Sequence, residues 1–347
     1  MKKISLEEHF FTAGHLEYLR SRKGYPRLEA FQDENGNKAE RLLRMPNSSQ
    51  LMSPQIMARL LDIGPGRIAE MDRVGIDMQL LSMAGPGVEE FDLASGTALA
   101  RAINDEVAEA VKKHPDRFTA LATLAYGDPQ GAAEELERAV TRLGFKGGKI
   151  NSHVGGEYLD HRKYRVLWET AEKLGVPIML HPKDPPPAVL TALSDYPGLT
   201  QAAWGFAFDA GSHALRLICS GLFDACPKLK VLLGHLGEAI PFWLYRFDNH
   251  FPRSPSAVKL QRKPSEYFLE NILVTSSGMF HHPQFMCVYQ VLGADRILFA
   301  VDYPYENMEQ GARFIESVPI PEGDKEKICH GNAEKLLKLA LKEPARV

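Results

Sequence analysis

Eight short and almost uninterrupted apolar runs, separated by segments of helical periodicity, limit the fold of this chain more than any other feature. They are KISLEEHF (3–10), DMQLLSM (77–83), FTALATLA (118–125), FKGGKIN (145–151), PIMLHP (177–182), KVLLGH (230–235), ILVTSS (272–277) and ILFAVDY (297–303). Runs of this kind suit strands buried on both faces of a parallel sheet. Between them, 95–115, 128–144 and 164–175 carry apolar residues at helical spacing. The first stops at Pro115, the second opens on Asp128-Pro129 and stops at Gly144, and the third stops at Gly175, the usual start and stop signals. Eight buried strands alternating with helices predict a (β/α)8 TIM barrel. An open doubly wound sheet is the runner-up, disfavoured because no GxGxxG or P-loop follows the first run. Residues 11–60, after the first strand, and 183–208, after the fifth, interrupt the rhythm. Both are expected to be long insertions over the C-terminal mouth, acting as lids or interface segments of one domain spanning 1–347.

The bulk composition narrows the function by exclusion. A net charge of −3 gives no electrostatic footprint for a nucleic-acid or anionic-membrane partner. No segment approaches the roughly 20 apolar residues of a membrane span, and Glu7 and Glu8 interrupt any signal-peptide core. Cys219, Cys226, Cys287 and Cys329 have no CxxC spacing and read as reduced thiols, so the expected location is the cytoplasm.

Several of the predicted strands end in groups able to bind a metal. The first ends Glu7-Glu8-His9, the fifth at His181, the sixth at His235, and the eighth carries Asp302. In a barrel these ends open on one mouth, and the first and eighth strands become neighbours on closure. Side chains alternate along a strand, so Glu7 and His9 share a face and Glu8 takes the other, toward the helices or a loop. Glu7, His9, His181 and Asp302 then form a mixed nitrogen and oxygen set for one divalent ion, suited to zinc, manganese, iron or cobalt with positions left for water or substrate. Each residue alone has a structural alternative, as a hydrogen-bonding histidine or a turn-forming aspartate; the metal reading rests on their arrival at one mouth.

The motifs LEEHF (6–10), RIAEMDRVGID (67–77), GFKGGKINSH (144–153), LHP (180–182), GHLGEAIPFWLYR (234–246) and FAVDYPYE (299–306) together resemble the amidohydrolase superfamily, in the branch of metal-dependent decarboxylases. That branch includes γ-resorcylate, 2,3-dihydroxybenzoate and 5-carboxyvanillate decarboxylases, with aminocarboxymuconate-semialdehyde decarboxylase more distant. The likeness runs from about Ile4 to Leu337. The superfamily's usual His-x-His on the first strand is here Glu7-Glu8-His9, as in the benzoate decarboxylases, and no bridging lysine of the usual style is expected on the fourth strand. One metal is inferred, manganese or zinc, with magnesium an alternative. The resemblance implies a lyase acting without an oxidant on an ortho-hydroxybenzoate. It makes Asp302, His235 and Glu238 the catalytic group, with His235 and Glu238 as a supporting pair. It makes Arg246, Tyr305 and Asn151 substrate contacts.

Alternatives accompany these roles. Arg246 can instead pair with Glu238 or Asp248, Tyr305 can sit at an interface, and Glu238 can cap a helix. His281 and His282 are read as loop residues, and Phe242, Trp243 and Tyr245 as packing or subunit contacts. A second basic residue, used by the carboxyvanillate relatives on their dicarboxylate, falls near Met52, with Arg41 and Arg44 nearby but unmatched. The expected substrate is therefore a small aromatic monocarboxylate, a dihydroxybenzoate or salicylate-type acid. A lactone or cyclic-amide hydrolase is the alternative. The resemblance also implies a homo-oligomer, a dimer or tetramer, in which residues 11–60 can close a neighbour's site.

Overall fold

The computed structural model describes residues 1–32, 36, 38–46, 48–193, 195–255 and 258–339. Residues 33–35, 37 and 47 of the first expected insertion and residue 194 of the second lie outside them, as do 340–347 of the expected 1–347 domain. Among the described residues the strands are β1 (Ile4–Phe10), β2 (Arg27–Gln32), β3 (Lys38–Met45), β4 (Ser48–Met52), β5 (Met78–Met83), β6 (Phe118–Ala120), β7 (Ala122–Thr123), β8 (Gly148–Asn151), β9 (Ile178–His181), β10 (Val231–Leu233), β11 (Ile272–Thr275) and β12 (Ile297–Leu298). β1, β5 and β6 form one parallel sheet and β7 to β12 another. β6 and β7 are one barrel strand divided at Leu121, so the eight expected strands are all present. The segment after β12 closes the ring on β1, with Leu6 N–H donating to Phe299 O at 3.1 Å and His9 N–H to Tyr303 O at 2.7 Å. The eighth strand is shorter than 297–303: it ends at Leu298, and Asp302 lies in the left-handed region at φ 81°.

The barrel has two apolar compartments. One lies between strands and helices and includes Trp168, Phe118 and Phe268. The other fills the lumen with Ile4, Leu6, Leu80, Leu121, Met179, Leu232, Leu273 and Leu298. Layered side chains of this kind make a packed floor, not a pore. Helix ends follow their sequence signals. Asp128 caps Pro129–Arg142 by accepting from Gly131 N–H at 3.1 Å, and Arg165–Leu174 ends at Gly175 with φ 63°, the left-handed conformation glycine adopts at no steric cost.

Residues 11–60 carry more structure than a loop. They hold the helices Ala13–Ser21 and Pro54–Leu61 and the antiparallel β2-β3-β4 sheet. Ser48 of β4 donates to the Asp184 carboxylate, and Gln201 Nε2 donates to Ser48 Oγ at 3.1 Å. The two insertions therefore bind each other.

Two buried imidazoles bear on stability. Burial pushes His15 and His213 down to about 3 from 6.5. Below pH 6.5 the unfolded chain binds protons that the folded one refuses, so this contribution is complete above pH 6.5 and is lost as pH falls toward 3. The slope is about 1.4 kcal/mol per pH unit for each histidine. The urea midpoint is expected to be lower at pH 5 than at pH 7. Replacing His15, which stacks on Phe11 at 5.5 Å, by His15→Phe should reduce that difference; an unchanged difference refutes the assignment.

Candidate active site

The site is assembled at the C-terminal ends of the barrel strands. β1 contains a bulge: Ser5 pairs with Gln79 and Glu8 with Leu81, one residue more on β1 than on β5. Ile4 and Leu6 face the lumen. Strict alternation from Leu6 would send Glu7 outward, but the bulge re-aims it. Glu7 and His9 therefore both reach the mouth, and Glu8 turns away.

Glu7, His9 and His181 bring their donor atoms within 4.8 Å of one another. Glu7 is 1% exposed and His9 fully buried. Glu7 Oε2 accepts from Thr275 Oγ1 at 2.8 Å and Ser277 Oγ at 2.5 Å. Its Oε1 has no hydrogen-bond partner among the described residues and lies 4.0 Å from His181 Nε2. β10 is followed by Gly234, where a Cβ would stand 3.0 Å from both Glu7 oxygens; a larger residue would displace the carboxylate. His181 Nδ1 lies 2.7 Å from Pro182 O. That contact fixes the proton on Nδ1 and leaves the Nε2 lone pair facing inward. Burial, then the Lys149 charge, lowers both histidine pKa values, which favours neutral, ligating imidazoles.

Asp302 stands beside this cluster. Its Oδ1 is 2.9 Å from His9 Nε2, yet neither atom makes a hydrogen bond among the described residues. Three buried donor atoms, Glu7 Oε1, His9 Nε2 and Asp302 Oδ1, thus lack partners at one place. A buried anion without a partner is costly, and a cation between these atoms satisfies them together. The donor set fits a single divalent metal ion.

The second half of the site is a row of three ionisable groups, Glu238, His235 and Asp302. His235 Nε2 is 3.6 Å from Asp302 Oδ2, and His235 Nδ1 is 2.6 Å from Glu238 Oε1. The sequence puts this pair where the sixth strand turns into a helix. There His235, Leu236, Gly237, Glu238 and Ala239 all have positive φ, between 50° and 82°, one turn of left-handed backbone that costs roughly 1–2 kcal/mol per non-glycine residue. Burial opposes charge on His235, but Glu238, Glu7 and Asp302 outweigh it and raise its pKa well above 6.5. For Asp302, burial is likewise outweighed by His235 and His9, which hold it down at about 2. Both shifts favour the charged forms, an imidazolium next to a carboxylate.

Tyr305 lines the site, its ring centroid 5.7 Å from that of His9. Its hydroxyl has no partner among the described residues, and burial pushes its pKa up to about 12, so it remains a donor. Asn151 Nδ2 donates to Glu89 at 3.4 Å, leaving Oδ1 unpartnered among the described residues.

Two groups that the sequence reading did not assign also reach the site. Lys149 takes the β8 place in the lumen layer, in register with Met179. Its Nζ donates to Met83 O at 2.6 Å and lies 3.3 Å from His9 Nδ1. The fourth strand thus brings a lysine beside His9, held by a backbone carbonyl; the expectation of no bridging lysine of the usual style concerned a different role. Burial pushes Lys149 down to about 7. Arg44 donates to Gln50 Oε1 at 2.6 Å. Its Nη1 and Asn151 Oδ1 both lie within 3.8 Å of where a Cβ on Gly85 would sit. Both left a signal: a charge inside an apolar strand for Lys149, and for Arg44 a place two residues beyond the buried Leu42 on β3. Arg246 departs from expectation. It is exposed on the helix Ile240–His250 and has no ion pair among the described residues; Glu238 is taken by His235 and Asp248 by Ser265. It does not face the site of its own chain.

A (β/α)8 barrel with a carboxylate-imidazole cluster at its mouth is a metal-centred enzyme scaffold. Residues 25–339 match the amidohydrolase family model, and the chain belongs to that family. A gamma-resorcylate decarboxylase of Polaromonas sp. is 37% identical over 346 residues, 97% of this chain and 98% of that one. A dihydroxybenzoic acid decarboxylase of Polaromonas sp., solved with bound manganese and the inhibitor 2-nitroresorcinol, superposes with a TM-score of 0.84 at 36% identity, covering 97% of each chain. A 5-carboxyvanillate decarboxylase of Sphingomonas paucimobilis gives a TM-score of 0.87 at 36% identity, covering 98% of this chain and 99% of that one.

Metal binding predicts a thermal shift. At a hundredfold excess over Kd, manganese should stabilise the fold by about 2.7 kcal/mol. The melting temperature should rise accordingly, return on chelation, and fail to rise in Glu7→Gln. A full shift in Glu7→Gln would place the ion elsewhere.

Proposed function

We propose that this enzyme removes CO2, without an oxidant, from an ortho-hydroxybenzoate of the dihydroxybenzoate or salicylate type. The observation that carries the reading is the placement of His235, 2.6 Å from Glu238 and 3.6 Å from Asp302, beside the donor cluster. Glu7, His9, His181 and Asp302 would hold the ion. When bound, it supplies positive charge that favours the phenolate and orients the acid. Arg44, Tyr305 and Asn151 contact the substrate, the guanidinium suiting a carboxylate.

Asp302, with the His235 proton at its disposal, delivers that proton to the ring carbon bearing the carboxylate. The ring gives up its aromaticity to form that C–H bond. The carbon–carbon bond to the carboxylate then breaks, its electron pair returns to the ring, and CO2 leaves. Glu238 stabilises the imidazolium beforehand, and His235 takes its next proton from solvent. A hydrolase would use Asp302 as a base and would not need a charged His235.

The test is a turnover panel on manganese-loaded protein with 2,3- and 2,6-dihydroxybenzoate, salicylate and 5-carboxyvanillate, following ultraviolet spectra and released CO2 together. At least one monocarboxylate should be consumed. Asp302→Asn should lower kcat by about 10²–10⁴-fold, and Arg44→Met should raise KM. Folded, metal-loaded protein inert on the whole panel would refute the reading.

We further propose that the enzyme is a cytoplasmic homo-oligomer. The four cysteines are free thiols, which suits a reducing compartment, and no helix among the described residues is long and apolar enough to cross a membrane. Phe242, Trp243 and Tyr245 are 72%, 49% and 84% exposed on the helix that carries Arg246, an apolar grouping typical of an interface. In this reading Arg246 is presented to a second copy. Sedimentation velocity should show a dimer or larger species, and Phe242→Glu with Tyr245→Glu should dissociate it; a wild-type monomer would rule it out.

A further inference from the structure

Glu8 faces away from the donor cluster, yet it is fully buried and every contact it makes comes from a donor. Its Oε1 accepts from Ser5 Oγ and from Val301 N–H at 3.1 Å. Its Oε2 accepts from Tyr303 N–H at 3.2 Å and Gln79 Nε2 at 3.3 Å. Val301 and Tyr303 are the two neighbours of Asp302. The remaining amide of the turn, Asp302 N–H, donates to Glu7 O at 3.0 Å. Three consecutive amides are thus held by two consecutive residues of β1, and the residue in the middle sits at φ 81°. A side-chain-bearing residue keeps a left-handed conformation only where its surroundings over-determine it. Here the surroundings are the Glu8 carboxylate. Arg67, which opens the RIAEMDRVGID motif, supports it. The Arg67 guanidinium is fully buried, stacks on the Tyr303 ring at 4.5 Å and donates to His9 O at 2.5 Å, placing its positive charge near Glu8.

We propose that Glu8 is a positioning residue for the reaction: by gripping the amides on either side of Asp302, it holds that carboxylate over the reacting carbon without touching substrate. The proposal rests on the decarboxylase reading for its kinetic consequence, though not for its geometry.

Glu8→Gln keeps the size of the side chain but offers only one acceptor oxygen, so an amide N–H must face an NH2 group and the grip opens. In folded, manganese-loaded Glu8→Gln, kcat should fall about 10²-fold, the cost of a displacement near 1 Å. Binding of 2-nitroresorcinol at saturating manganese, followed by absorbance, should stay within about three-fold, because Glu7, His9 and His181 still converge on the ion when Asp302 shifts and the loss falls on the transition state. In its crystal structure residue 302 should leave the left-handed region. Ser5→Ala, which removes a donor to Glu8 without touching the 301–303 amides, should keep kcat near wild type. A merely structural role predicts the opposite pattern, with kcat and 2-nitroresorcinol binding falling together and Ser5→Ala sharing the defect.

Retained kcat in Glu8→Gln, or parallel loss of kcat and binding, overturns the proposal. If Glu8→Gln does not fold, Glu8→Asp, which keeps both carboxyl oxygens but shortens the reach, is read by the same three measurements against the same criteria. If the wild type consumes no hydroxybenzoate, the decarboxylase reading has failed by itself. The crystallographic φ of residue 302 in the Glu8 variant then decides the grip alone: a residue 302 still left-handed refutes it.

Discussion

The site depends on one buried charge. Glu7 is a carboxylate with almost no access to water, and moving such a group out of water costs several kcal/mol unless partners replace the solvent. Thr275 and Ser277 satisfy one oxygen. The other faces two imidazoles whose pKa values are lowered, so neither His9 nor His181 is poised to neutralise it. The β1 bulge that turns Glu7 inward and the glycine that makes room for it at Gly234 serve a group that becomes favourable only with a cation. The same scaffold then places an anion, Asp302, and a cation, His235, side by side. The site therefore holds opposite charges in fixed positions before any substrate arrives, and it needs little reorganisation when charge develops in the reaction.

Much of this was legible because it follows from periodicity. The eight strands appear where the apolar runs place them, and Asp128 and Gly175 start and stop helices as their chemistry dictates. Glu7, His9 and His181 converge because barrel strands share a mouth. Three things were less legible, each for a physical reason. Simple alternation is a two-residue rule, and the bulge at Leu6–Glu7 breaks it while leaving Glu7 and His9 together. The left-handed turn at His235–Ala239 carries one glycine where five residues adopt positive φ, so local propensity argues against it; the tertiary contacts of His235 and Glu238 decide. Lys149 is one charged residue in an apolar strand, and spacing alone does not distinguish a snorkelling surface lysine from one sealed beneath the centre.

Arg246 teaches a different lesson. Sequence likeness can assign a residue to a site without saying whose site it is. On this chain the side chain is exposed, and the aromatic residues around it are exposed as well. Arg44, placed by the β3 hairpin of the first insertion, supplies the guanidinium that the chain brings to its own centre.

The leucine-rich floor of the lumen has a consequence for traffic. Ile4, Leu6, Leu80, Leu121, Met179, Leu232, Leu273 and Leu298 close the barrel below the cluster, and Ala333 and Leu337 of the C-terminal turn pack against them. Among the described residues this apolar layer closes the barrel on the side away from the strands' C-terminal ends. The incoming acid, the departing phenol, the gas and the replenishing proton must all pass on the mouth side, beside which Ser48, Asp184 and Gln201 fasten the two insertions together.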